Sequence, residues 1–127
     1  MMRWLNTNLV MAMHHESIRE HGGAAGIRDP LLLESALSRP RNQFEYEGAD
    51  MHQLAAAYAF GICRNHPFVD GNKRTSLAAL GIFLELNGYA LTAPEPDAAL
   101  TILELAQGTL AEPELAEWIK ANSEPLA

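Results

Sequence analysis

The sequence predicts an all-α fold, a compact bundle of about six helices with a buried central helix, the one that follows a polar loop in the middle of the chain. Three observations carry this expectation. Apolar residues recur at helical spacing along most of the chain, cap and stop residues sit at the ends of those stretches, and two segments are apolar on nearly every side. A helix that is apolar all round belongs in the middle of a fold rather than on its surface.

Taken in order, Asn6, Thr7 and Asn8 offer N-cap oxygens before LVMAMHHESIREH, where Leu9, Ala12, Met13 and Ile18 form an apolar stripe and Gly22 and Gly23 supply the stop. Asp29 caps a second helix with Pro30 at its first position, where a missing N–H costs nothing, and LLLESAL follows until Pro40 forbids continuation. PRNQFEYEGA then mixes aromatics and charges without helical period and is expected as an extended loop or small hairpin. Asp50 caps a third helix from Met51 to Asn65, in which Leu54, Ala57, Tyr58, Gly61 and Ile62 keep helical spacing while Ala55, Ala56, Ala59 and Phe60 fill the other faces. From Leu77 to Leu86 the single charge is Glu85, and Asn87 and Gly88 end that fourth helix. YALTAP runs extended to Pro94, and EPDAALTILELAQG and PELAEWIKAN close the chain as two further helices, the latter with Pro113 at its start.

A chain of 127 residues suits one domain, residues 1–127, and such a domain buries roughly 65 to 70% of its unfolded surface. Its apolar content of 48% supports a real core. The longest apolar runs are about half of the ~20 residues a spanning helix requires. No membrane contact is expected. The N-terminus MMRWLNTNLV soon meets Asn6 and Asn8 and lacks the apolar stretch of a secretory signal, and Cys63 is the lone cysteine, so a reducing, cytoplasmic setting and a buried, inert thiol are expected. The net charge of −7 argues against direct nucleic-acid binding. Its excess is C-terminal: residues 1–84 carry eight acids and eight bases, whereas residues 85–127 carry eight acids against Lys120 alone. That half reads as a solvated acidic face, or as a docking surface for a basic partner.

Between the two oily segments lies NHPFVDGNKRTS, from Asn65 to Ser76. Pro67 disfavours helix at the residue before it, which makes His66 the end of the incoming helix. Phe68 can plug the turn into the core. Asp70 and Gly71 make the turn, and Asn72, Lys73 and Arg74 fall in the first turn of the next helix, where unpaired N–H groups and the helix dipole favour an anion. Phosphate is the natural occupant. Asp70 is a hard carboxylate able to hold Mg²⁺ beside it, and His66 stands across the turn to take a hydroxyl proton. Phosphate cradle, metal ligand and base are the parts that phosphoryl or nucleotidyl transfer needs. Each residue has an ordinary structural role available, as turn, cap or solvated charge, but two cations opening an otherwise apolar helix serve no packing purpose.

The run HPFVDGNKR resembles the signature His-Pro-Phe-x-Asp/Glu-Gly-Asn-x-Arg of the Fic/Doc superfamily. Lys73 stands where adenylyl-transferring members carry a second glycine, and Leu77 where they usually carry a further arginine. Both departures are those of the Doc ("death on curing") branch, toxins of bacterial toxin-antitoxin pairs. GIRDPLLLESALSRP is similar to the early part of such chains, so the resemblance spans essentially the whole sequence. It implies a six-helix bundle with the signature loop and helix at its centre, and transfer of the ATP γ-phosphate to a threonine of elongation factor Tu, which blocks translation. The resemblance further implies that His66 activates the acceptor hydroxyl, that Asp70 holds Mg²⁺, and that Gly71, Asn72, Lys73 and Arg74 grip phosphates, with Arg64 a weaker nucleotide contact. In the superfamily an extended flap pairs with the target's backbone, here roughly Gln43 to Tyr46, and a Phd-like antitoxin lays a helix in a groove of the toxin.

Two further functions compete with the kinase: AMP transfer to a protein hydroxyl, with Lys73 the residue that separates them, and a silent module that acts in antitoxin docking and repression alone. Other signals are discounted. The order of a Walker phosphate loop fails around Gly71, HGGAAG reads as a helix C-cap, and His14, His15 and Glu16 are adjacent and cannot share one helical face as a metal site.

Overall fold

The computed structural model describes residues 1–126, and it is an all-α bundle. Six helices, α1 (Thr7–His21), α2 (Pro30–Glu47), α3 (Met51–Asn65), α4 (Asn72–Leu86), α5 (Glu95–Gln107) and α6 (Glu112–Ala121), are joined by short loops. Two short strands, β1 (Tyr89–Leu91) and β2 (Ser123–Pro125), pair antiparallel. The pairing places Tyr89 opposite Pro125 and Leu91 opposite Ser123, which ties the chain's end back to the exit of α4.

The caps form where local chemistry places them. The Asn6 side chain accepts from Leu9 N–H, that of Asp29 from Leu31 and Leu32 N–H, and Asp50 and Gln53 close a reciprocal capping box at the start of α3. α3 is the central helix: α2, α4, α5 and α6 all pack on it, and Leu54 through Ala59, Gly61 and Ile62 are buried. Four of its residues are alanines, whose small side chains let neighbours approach closely from every direction. α4 buries Ala79, Leu80, Phe83 and Leu84 but keeps Leu77, Ala78 and Ile82 half-exposed, so it lies against the core rather than within it.

The segment from Pro40 to Ala49 departs from expectation. α2 does not stop before Pro40 but runs through it to Glu47, so neither an extended loop nor a hairpin forms, and Gln43–Tyr46, expected as a flap, are helical. An interior proline removes one helical hydrogen bond, at a cost of about 3 kcal/mol. Tertiary contacts offset it. Arg39 pairs with Glu112 and lies over the Phe60 ring, Gln43 Nε2 donates to Glu112 Oε2 at 3.1 Å, and Arg41 lies over Trp4, whose ring meets Phe44 edge-on. Pro40 itself is buried, and the Ala36 carbonyl that its missing N–H would have served faces Gly61 on α3. A Cβ at Gly61 would sit 3.2 Å from Ala36 Cα and 3.3 Å from its oxygen, so this helix crossing admits only glycine without a shift.

Candidate active site

The turn between α3 and α4 forms around a buried aromatic. Phe68 is 1% exposed, and its N–H donates to Asn72 Oδ1 at 3.0 Å while its carbonyl accepts from Asn72 Nδ2 at 3.0 Å. This double bond to one residue's backbone fixes the Asn72 amide. Its second Nδ2 hydrogen then faces His66 Nδ1 at 3.1 Å. An amide nitrogen only donates, so Nδ1 is the accepting nitrogen and the neutral ring carries its proton on Nε2. His66 occupies the C-cap of α3 in a left-handed conformation with φ of 53°, the one non-glycine residue with positive φ among the described residues. Strain of this kind persists where the surroundings enforce it, here through Pro67 and the Asn72 clamp.

Asp70 is exposed, and both carboxylate oxygens accept from backbone: Oδ2 from Ala24 N–H at 3.2 Å and Oδ1 from Gly71 N–H at 2.8 Å. Those two donors, with the Arg74 charge nearby, hold its carboxyl below the usual carboxylate range. Arg74 also reaches the Gly22 carbonyl at 3.4 Å. His66, Asp70, Gly71, Asn72, Lys73 and Arg74 together line a recess of about 150 Å³ at the N-terminus of α4. Two cations, the dipole of a 15-residue helix and free first-turn N–H groups suit it to an anion. Asp70 leaves outward lone pairs beside it, which suits Mg²⁺ arriving on a nucleotide: that ion needs one or two carboxylates and takes its other ligands from phosphate and water.

Arg64 lies apart from the recess. Its guanidinium covers the Phe60 ring, 5.1 Å from the centroid, and it lines a separate cavity of about 580 Å³ with Phe60, Cys63, Gln107 and Glu112. Cys63 donates to Ser76 Oγ at 3.2 Å, and burial pushes its thiol up, so the thiolate is disfavoured.

Two supports of the turn lie outside the signature. The first is the glycine-rich link between α1 and α2, which does more than cap a helix. Val69 N–H donates to the Gly26 carbonyl, Ile27 bridges Phe68, and both Arg28 and Asp29 N–H donate to the Pro67 carbonyl. The Arg28 guanidinium bonds the carbonyls of His66 and Asn65, at 2.8 and 2.9 Å, and so seals the end of α3. A Cβ at Gly23, whose φ is 114°, would fall 2.6 Å from Asp70 Oδ2. The second is His14 on α1, 5% exposed, which reaches the Asp70 carbonyl at 2.7 Å. Both contacts join residues tens of positions apart. The one local sign was a histidine adjacent to apolar Met13 on the core-facing side of α1.

A family model described as the Fic/DOC family matches residues 4–84, which include α1 to α3, the turn and most of α4. The chain belongs to the Fic/DOC family. Among its Fic/DOC relatives, the protein kinase doc of Escherichia phage P1 is 29% identical over 120 residues, covering 94% of each chain. The toxin Doc of Mycolicibacterium smegmatis is 43% identical over 76 residues, covering 57% of each. As a Fic/DOC chain this one keeps the signature turn, and among the described residues it has no helix long and apolar enough to cross a membrane.

Proposed function

We propose that the protein is a Doc-type toxin that transfers the γ-phosphate of ATP to a threonine hydroxyl of elongation factor Tu and thereby blocks translation in the cytoplasm. The observation that carries this reading is the recess itself, where Lys73 and Arg74 open α4 opposite the His66 ring. The printed names of the two relatives, a protein kinase and a toxin, support it.

In this reading the triphosphate tail lies on the first turn of α4, held by its N–H groups and by Lys73 and Arg74. Asp70 would hold Mg²⁺, which would supply neutralisation of phosphate charge. The threonine oxygen attacks the γ-phosphorus, the bond to the bridging oxygen breaks, ADP leaves, and the hydroxyl proton passes to His66. The lone pair of that ring is on Nδ1, where the Asn72 amide sits at rest. Proton uptake at Nδ1 displaces that amide, whereas uptake at Nε2 requires the ring proton to leave there first. One neutral hydrogen bond is worth about 0.5 to 1.5 kcal/mol net, so either rearrangement is small against a phosphoryl-transfer barrier. A lysine at position 73, rather than a glycine, fills the space against the backbone with an ammonium and favours the γ-phosphate over the α-phosphate next to His66. Inhibition by a cognate Phd-like antitoxin belongs to the same reading.

Purified protein incubated with elongation factor Tu and ATP labelled at either the α or the γ position tests it. Label retained from the γ position is expected; label from the α position alone would instead make the protein an adenylyltransferase. No transfer of either label, with unchanged toxicity in cells of a His66→Ala variant, would make it a non-catalytic module.

A further inference from the structure

We infer that His14, on α1, is a positioning residue: it sets the orientation of the Asp70–Gly71 peptide and so aims the Gly71 N–H at the Asp70 carboxylate, which it holds on the wall of the anion recess. The inference rests on the reading of that recess as a phosphate site. His14 Nε2 lies 2.7 Å from the Asp70 carbonyl oxygen, which can only accept, so the ring nitrogen carries the hydrogen and donates. No backbone N–H among the described residues bonds to this carbonyl. The histidine is therefore what turns it inward.

The consequence follows from peptide geometry. In a planar trans unit the C=O and the following N–H point in opposite directions, and there is no cis peptide among the described residues. A carbonyl drawn into the protein by His14 leaves the Gly71 N–H facing out, where it meets Asp70 Oδ1 on the wall of the recess. That N–H lies just before the free donors of the first turn of α4 and holds the Asp70 carboxylate in place beside them. His14 can hold so exact an orientation because its own ring is fixed. It stacks face to face on Phe68, with centroids 3.9 Å apart and planes within 5°, and its edge abuts Gly71, where an added Cβ would lie 3.7 Å from the ring. The same aromatic that Asn72 clamps from one side is thus held by His14 from another. Residues 69 and 70 are exposed, and the glycine-rich link bonds the Val69 N–H and the Asp70 side chain but leaves the Asp70 carbonyl untouched.

The test compares the full-length parent with His14→Ala and His14→Gln, the glutamine amide nitrogen reaching roughly where Nε2 lies. Two quantities are read: calorimetric affinity for a magnesium-bound, non-hydrolysable ATP analogue, and the direction of the Gly71 N–H vector from residual dipolar couplings, which the loss of a neighbouring ring does not itself change. His14→Ala is expected to bind the analogue about tenfold more weakly with the Gly71 vector turned, and His14→Gln to stay within about twofold of the parent with the vector restored. Equal binding by folded His14→Ala, equal weakening of both variants, or an unmoved Gly71 vector overturns the inference. Should His14→Ala fail to fold, weak binding by folded His14→Gln overturns it and parent-like binding supports it. If the parent itself binds no analogue, the functional reading falls, and the Gly71 vector alone decides whether His14 positions the peptide.

Discussion

At the scale of single residues, the site depends on donors and acceptors whose roles are fixed by their neighbours. Asn72 cannot rotate its amide without losing both bonds to Phe68, and His66 inherits its tautomer from that constraint. A His66→Ala variant is expected to keep its fold and its affinity for the ATP analogue while losing transfer to the acceptor by about 10²- to 10⁴-fold, measured by γ-label incorporation. Asp70 gives a prediction in pH. Because its folded carboxyl titrates below the ordinary range, its contribution to loop stability is complete above about pH 4 and is lost as pH falls through the lowered value. The difference in thermal midpoint between the parent and Asp70→Asn, present at pH 7, is therefore expected to close on acidification below that point. Gly23→Ala attacks the same carboxylate from the loop. With its φ at 114° and a methyl 2.6 Å from Asp70 Oδ2, the variant should lose the Ala24 bond and about 1 to 3 kcal/mol of stability, read by urea unfolding.

At the scale of elements, the helices show how far a local signal reaches. Asp29 with Pro30, and Asp50, are legible in sequence because a cap is completed within three or four residues. The same logic misreads Pro40. Its local cost is real, but what offsets it lies on Phe60, Glu112 and Trp4, residues that no window around position 40 contains. The turn divides in the same way. His66, Asp70, Gly71, Asn72, Lys73 and Arg74 were readable as one cluster since they are contiguous, whereas Arg28 and His14 act on it across 38 and 56 positions and leave no pattern. Arg64, close to the cluster in sequence, points elsewhere because it lies two residues before the C-cap, about half a helical turn, and so on another face of α3. The crossing of α2 and α3 carries its own test. Gly61→Ala gains about 1 kcal/mol of helix propensity but forces Ala36 backbone outward at 3.2 Å, a penalty of about 1 to 3 kcal/mol, so the thermal midpoint should fall by a few degrees.

At the scale of the whole molecule, one buried hydroxyl helps fasten the N-terminal segment to the core. The Tyr58 side chain is fully buried, and its OH accepts from Leu5 N–H at 3.0 Å. Tyr58→Phe should cost about 1 to 3 kcal/mol at neutral pH, because the Leu5 donor is left buried without an acceptor. Burial also pushes the Tyr58 phenol up from its ordinary 10.0. The unfolded chain releases that proton first, so the parent's stability should fall as pH rises above about 10, a loss that the phenylalanine variant lacks in a chemical-denaturation series.

The enclosure of α3 on all sides also bears on how the protein is inactivated. Its amides can meet deuterium only when the bundle comes apart, so they should be the slowest to exchange and should report the global opening free energy. The imidazole hangs from the last turn of this most protected rod. Heat should then silence the enzyme in one cooperative step, with no temperature interval in which the body survives and the chemistry has already gone.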